Sequence, residues 1–346
     1  MLTNFLYIIV AVLLLCLLIV VHELGHFIVG RLCGIGVIEF SVGFGPKLIG
    51  WRRKDTDYSI RAIPLGGYCK FVGEDDESSA PDAMNNMPVW KRFLTVAAGP
   101  AMNVLFAYLA AVLMLCMFYG TISPSVDTVV DGSPAQQAQL MPGDVITAAN
   151  GSEIAFDAEG TNALREIIQA SDSVQLTVDR GGETIELALV PDLVTDEATG
   201  QTVRQIGITF KFENYTLSTA IPGAGQLLKE MSSMMLDFLR NLIFRGQGAE
   251  DVAGPIGTVA VVSQYLAIDP SQLVYFAVVI SLNLGIMNLI PFPGLDGSRL
   301  AFLAVEAVRR KPVPPEKEGM VHAAGLVLLL VLSAVLIWHD IVTYII

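Results

Sequence analysis

A polytopic α-helical membrane protein, interrupted by one soluble extracytoplasmic segment, is the fold class this sequence predicts, and three observations predict it. Hydrophobic residues make up 53% of the chain and charged residues only 16%. The charged residues avoid four windows, near residues 5–29, 93–119, 274–294 and 323–345, each close to the length that crosses about 30 Å of hydrocarbon. Between the second and third windows, Gly120 to Pro270 carries seven Lys/Arg against twenty Asp/Glu, the composition of a soluble segment.

The first window runs from Phe5 to Val29 and is almost wholly Leu, Ile, Val and Ala up to Val21. No Lys or Arg precedes it, the apolar stretch is too long for a signal peptide, and no small-residue cleavage site follows. A retained transmembrane helix is therefore expected. Inside it stands His22-Glu23-Leu24-Gly25-His26. Ionisable residues at membrane depth are expensive unless they bind or pair, so they are functional candidates by default. On a helix, His22 and His26 share a face one turn apart and can reach a single zinc ion while Glu23 stands beside it.

Charge placement orients the chain. The loop from Arg31 to Arg92 holds nine Lys/Arg, and the connection after the third window holds Arg299, Arg309, Arg310, Lys311 and Lys317. Both are expected to face the cytoplasm, with the acidic segment outside and His22 and His26 toward the cytoplasmic face. The net charge of −13 leaves no basic stripe for phosphates and excludes nucleic acid as a partner. Cys16 and Cys116 lie in apolar windows, Cys33 and Cys69 in the first loop, so no disulfide framework is expected.

A zinc site needs a third protein ligand and an open position. Two further histidines exist, His322 and His339, both near or in the last window. Asp296 is the better candidate. It ends Asn288-Leu289-Ile290-Pro291-Phe292-Pro293-Gly294-Leu295-Asp296, where two prolines break an apolar helix just before a carboxylate. Irregular backbone at membrane depth is tolerated only where protein or a watery cavity surrounds it. The alternative is a Pro-kinked helix whose Asp296 caps the helix that follows, from Arg299 to Arg309.

Before the third window, Leu227, Leu228, Met231, Met234, Met235, Phe238, Leu239 and Leu242 recur at helical spacing among charged residues, predicting an amphipathic helix on the membrane or the core. Val174 to Val178 and Ile185 to Leu189 alternate on either side of Arg180-Gly181-Gly182 and predict a hairpin.

The pair His22-Glu23-Leu24-Gly25-His26 and Asn288 to Gly297 resembles the two-part signature of the site-2 proteases, the intramembrane zinc metalloproteases. Ala98-Gly99-Pro100-Ala101-Met102-Asn103 looks like a third family element. Gly43-Phe44-Gly45-Pro46 and Gly66-Gly67-Tyr68 look like the ends of the family's membrane-reentrant β-hairpin, from about Glu39 to Phe71. Ser133-Pro134-Ala135, Gly143-Asp144-Val145-Ile146 and Asn150-Gly151 resemble the start of a bacterial PDZ domain, with room for one copy. The resemblance is to the bacterial regulator of sigma-E protease branch, and members with two PDZ domains differ from this chain. Gly254-Pro255-Ile256-Gly257 resembles a family segment without assigned chemistry.

The resemblance divides the chain into residues 1–119 and 273–346 as halves of a membrane core, 120–213 as a PDZ-like domain and 214–272 as a linker helix region. It implies Zn²⁺ held by His22, His26 and Asp296, Glu23 as general base, and Asn288 near the scissile segment. It also implies single-span membrane substrates, such as anti-sigma factors first trimmed by an upstream site-1 protease or remnant signal peptides. The setting it implies is the lipid of a bacterial inner membrane. Two other classes stand beside it: an inactive adaptor with structural zinc that binds peptides through its PDZ domain, and a metal transporter. Glu23 speaks against the first, since a structural site needs no base; the lack of an internal repeat speaks against the second.

Overall fold

The structure, a computed structural model, describes residues 2–74, 78–156, 158–195, 202–248, 252–311, 313 and 315–344. Two compact units divide it: residues 1–114 with 221–346, and residues 115–220.

The larger unit is built on helices. α1 (Leu2–Leu32), α2 (Val89–Phe118), α7 (Gln272–Leu289) and α9 (Pro315–Tyr344) each contain a stretch long and apolar enough to cross a membrane: Phe5–Leu32, Val89–Phe118, Gln272–Leu289 and Glu318–Thr343. The third is shorter than the apolar run in the sequence because Ile290 precedes Pro291 and is driven to extended backbone, at φ −67° and ψ 134°. Helix crossings rely on small residues. A Cβ at Gly25 would lie 2.2 Å from the Ala98 carbonyl oxygen, so α1 and α2 meet backbone to backbone. At Gly285 of α7 a Cβ would meet Val104 of α2 at 2.8 Å.

Two shorter helices belong to this unit, α6 (Pro255–Ile268) and α8 (Asp296–Arg309). α6 packs its Val262 and Leu266 against Ala11 of α1. Its N-terminus is held from a distant part of the chain. Asp340 of α9, fully buried, accepts from Gly254 N at 3.0 Å and from Gly257 N at 2.8 Å. Those are main-chain donors that a helix start leaves without intrahelical partners. α5 (Leu217–Arg245) covers the amphipathic stretch and carries Pro222 in its first turns, with Ala224 and Leu228 buried and Met234, Ile243 and Phe244 exposed.

Between α1 and α2 the chain forms β1 (Val37–Arg53) and β2 (Thr56–Phe71). Their register is not that of a simple hairpin. Val37 to Val42 pairs antiparallel with Phe71 to Gly67, and Lys47 to Arg53 with Arg61 to Thr56. Glu39 to Val42 also lies beside Asp57 to Ile60, with both sets of numbers rising together. Each long strand is therefore bent into two segments. Gly43 (φ +86°) and Gly45 (φ +82°) make the bend in β1, where a Cβ at Gly43 would meet the Ile63 carbonyl oxygen at 2.7 Å. Ser41 and Ser59 are buried inside the fold-over and satisfied: Ser59 Oγ donates to Glu39 Oε1 at 2.8 Å, and Arg61 reaches both Glu39 and Ser41.

The smaller unit is an α/β domain. β3 (Gly120–Val129), β4 (Val145–Ala149), β6 (Val174–Arg180), β7 (Glu183–Leu189) and β10 (Ile208–Asn214) form a sheet in the order β10-β3-β4-β6-β7, with β5 (Ser152–Glu153) beside β4. β6 and β7 pair from Val174↔Leu189 to Arg180↔Glu183 around the Gly181-Gly182 turn. Alternate residues Val174, Leu176 and Val178 point into the core with Leu164 and Ile168 of α4 (Ala158–Ala170). α3 (Pro134–Gln137) starts at a Ser133 N-cap, and β8 (Asp192–Thr195) pairs with β9 (Thr202–Gln205) apart from the main sheet.

One ion pair pins the loop before β4. Asp144, nearly fully buried, accepts from Arg180 Nε and Nη2 at 2.7 Å each and from the Met141 amide at 2.8 Å. Burial pushes the carboxyl up, but the Arg180 guanidinium and the Met141 amide outweigh it and hold it below the usual carboxylate range. Since the folded value lies below the unfolded one, this stabilisation is complete above the unfolded value of about 4 and drains away as pH falls through the folded value. Arg180→Ala leaves a buried carboxylate unpaired and is expected to lower the stability of this domain by about 3 kcal/mol at neutral pH. The difference from wild type should shrink as unfolding is followed below about pH 4.

Candidate metal centre

The centre is built where α1, α2 and the break after α7 come together. α1 is helical throughout, so the imidazoles of His22 and His26 stand on one face. Their Nε2 atoms approach to 3.2 Å, and Asp296 Oδ2 lies 3.0 Å from the first and 3.3 Å from the second. Zinc in tetrahedral coordination, with bonds of about 2.0–2.1 Å, requires ligand atoms about 3.3 Å apart. The triangle fits that ion. Asp296 Oδ2 is also buried and has no hydrogen-bond partner other than the two imidazoles, as suits a carboxylate oxygen sharing a cation with them. Among the described residues these three form the cluster able to hold a metal, and Glu23, half-buried on the next position of α1, is outside it.

Asp296 gets there because α7 stops short. After Pro291 and Pro293 the chain turns at Gly294, whose φ of +95° suits glycine, and α8 begins. Leu295 takes the N-cap position and Asp296 is the first helical residue, so its side chain is not a cap and turns to the imidazoles instead. Gly297 makes the approach possible: a Cβ there would sit 2.2 Å from the Ile290 carbonyl oxygen and 2.4 Å from that of Leu289. The next residue, Ser298, donates its hydroxyl to the Leu295 carbonyl at 2.8 Å, within its own turn. Ser298→Gly is expected to leave turnover at this centre nearly unchanged, because the lost bond touches neither imidazole; a large change would show that this turn controls the site.

α2 lines the other side. His26 Nδ1 donates to the Thr95 carbonyl oxygen at 2.8 Å, which leaves Nε2 with its lone pair toward the triangle. His22 Nδ1 is 3.2 Å from the side-chain amide of Asn103. Between them, Gly99 brings bare backbone against both rings. On the remaining side, β2 reaches Glu23: a Cβ at Gly67 would meet Glu23 Cγ at 3.5 Å.

The other candidates lie apart. Asn288 is in the last turn of α7, donating Nδ2 to the Leu284 carbonyl at 3.0 Å. His322 accepts from Gly294 N at 3.3 Å and is not in the cluster, nor is His339. Thr95 and Asn103 have no local signal as metal partners, one acting through its carbonyl. The i, i+4, i+8 spacing of Thr95, Gly99 and Asn103 is the trace of the shared face.

Comparison with known proteins agrees with this chemistry. The family model described as Peptidase family M50 matches residues 10–332. A Rhizobium meliloti protein, named as a candidate zinc metalloprotease, is 36% identical over 95% of this chain and 94% of its own. Metalloprotease MmpA of Caulobacter vibrioides is 33% identical over 99% and 97%, and zinc metalloprotease RasP of Shouchella clausii 30% over 94% and 96%. Among solved structures, the PDZ domain of an SdrC-like protein from Listeria monocytogenes covers 26% of this chain and 86% of its own at 23% identity, with a TM-score of 0.20.

Proposed function

This chain belongs to peptidase family M50, the site-2 proteases, and is a zinc metalloprotease with membrane helices; on that premise we propose that it hydrolyses peptide bonds within the transmembrane segments of other membrane proteins. The observation that carries the reading is the His22, His26 and Asp296 triangle, two of whose corners lie inside an apolar helix long enough to span. A hydrolytic site in that position meets its substrates at membrane depth.

His22, His26 and Asp296 would hold the zinc, and the ion when bound supplies a Lewis acid that brings the pKa of water toward about 7. Glu23 takes the proton from the attacking water and delivers it to the departing amine. Asn288 binds main chain of the unwound substrate with its amide, whose Oδ1 and second Nδ2 hydrogen are not used by the bond to the Leu284 carbonyl. A helical substrate shields its own peptide bonds and must open first. β1 and β2 form the reentrant hairpin, and the β2 segment beside Glu23 receives the opened substrate as an added strand.

The substrates are single-span proteins, such as anti-sigma factors already trimmed outside by a site-1 protease, or remnant signal peptides. The protein resides in a bacterial inner membrane, with the site toward the cytoplasm. The PDZ-like domain lies outside, where it takes peptides or excludes untrimmed substrates by bulk. The basic loops between the first two and after the third span support this sidedness.

Cleavage of a single-span model substrate by purified protein in detergent, with product masses read out, tests the proposal. Cuts are expected inside the apolar segment, abolished by chelation, restored by zinc, and absent in Asp296→Ala together with bound zinc. Cuts confined to the soluble flanks, or full zinc content in Asp296→Ala, would overturn it.

A further inference from the structure

Asn103 is fully buried in α2, and its two side-chain atoms are unequally served. Nδ2 lies 3.2 Å from His22 Nδ1, while Oδ1 is buried with no partner. A neutral imidazole has one N–H. When His22 gives its Nε2 lone pair to a metal, that proton is on Nδ1, and an amide NH₂ facing it would set donor against donor. Turning the amide about χ2 exchanges the atoms without changing shape, and Oδ1 then meets the Nδ1 proton. In the metal-free ring the present orientation serves instead: Nδ2 donates to Nδ1 while Nε2 carries the proton toward Asp296 Oδ2. An amide can do both; a carboxylate can do only the first, and a hydrocarbon neither.

We propose that Asn103 is a positioning residue of the zinc site, its side-chain carbonyl accepting the Nδ1 proton of His22 and so holding Nε2 toward the ion. The inference rests on the zinc ligand set proposed above and adds a partner that touches neither metal nor substrate. α2 then serves both histidines from one face, the Thr95 carbonyl for His26 and the Asn103 amide for His22, two turns apart and matching the one-turn spacing of the rings on either side of Gly99. The residue is itself fixed from a third helix, because Ser281 Oγ of α7 donates to the Asn103 main-chain oxygen at 2.8 Å. Partners of this kind set ring orientation and ligand basicity.

The test measures zinc affinity by chelator competition in detergent for full-length wild type, Asn103→Leu and Asn103→Asp, with thermal unfolding of the metal-free proteins alongside. Zinc content of wild type in the same preparation separates failure of the ligand set from failure of this inference. Asn103→Leu, which keeps the branching but no polar atom, is expected to bind zinc about 10- to 100-fold more weakly. Asn103→Asp keeps the acceptor and is expected to bind at least as tightly as wild type. A residue that only fills space would lower metal-free unfolding and leave zinc affinity alone. Wild-type affinity in Asn103→Leu, or equal weakening in both variants, overturns the proposal. Should Asn103→Leu not fold, Asn103→Asp decides by itself, weaker zinc binding than wild type being the adverse result.

Discussion

Glu23→Gln is expected to keep its full zinc content while cleavage of a single-span substrate falls by about 10²- to 10⁴-fold, the range that a positioned acid–base group supplies. The two side chains have nearly the same shape, and Glu23 is outside the cluster of His22, His26 and Asp296, so metal content has no reason to change. What changes is proton affinity. An amide cannot take a proton from water or hand one to a departing amine, and the loss corresponds to about 3–5 kcal/mol of barrier. Zinc content and turnover measured on the same sample separate the possibilities. Loss of both together would make Glu23 a ligand, and retention of both would give the base to another group.

Gly99→Ala is the second large effect. The added Cβ would fall 2.2 Å from His26 Nε2, 2.5 Å from its Cε1 and 2.9 Å from His22 Cε1. By helix propensity alone the change favours α2 by about 1 kcal/mol. The clash is with the ligand atom itself, and His26 cannot swing aside without losing its bond to Thr95. Zinc affinity is therefore expected to fall at least about 100-fold, equivalent to about 2.7 kcal/mol. The metal-free protein meets the same clash and gives up the same His26–Thr95 bond, so its unfolding temperature is expected to fall as well. Chelator competition and thermal unfolding of the same variant check both halves, and undiminished zinc binding would mean that α2 shifts at little cost.

Much of the site is legible in the amino-acid sequence because its parts are local. The i, i+4 spacing of His22 and His26 specifies a shared face once α1 is helical, and the prolines at 291 and 293 specify a break before Asp296. Whether Asp296 caps a helix or faces the histidines is left open by that spacing, and the answer lies in Gly297, which lets the first turn of α8 press on carbonyls at the end of α7. The contributions of α2 are not legible as chemistry. Gly99 and Asn103 are marked by the resemblance of Ala98 to Asn103 to a family element, but nothing in that stretch or in Thr95 says which ring each one meets. The doubled register of β1 and β2 is hidden for a related reason. Gly43 and Gly45 announce a bend, but only packing decides that Glu39 to Val42 runs beside Asp57 to Ile60 as well as against the end of β2.

The carboxylate of Asp340 also orders events in time. Its partners, the amides of Gly254 and Gly257, leave the ribosome 86 and 83 residues ahead of it, an interval of about 4–17 s at 5–20 residues per second. Throughout that interval the donors at the start of α6 are without the carboxylate that claims them in the folded chain, and water can serve them instead. His22, His26 and Asp296 have all been synthesised before Asp340, so the chain can assemble its metal triangle first and fasten the start of α6 last. The last apolar helix thus meets a core whose ligand residues have all been made before it.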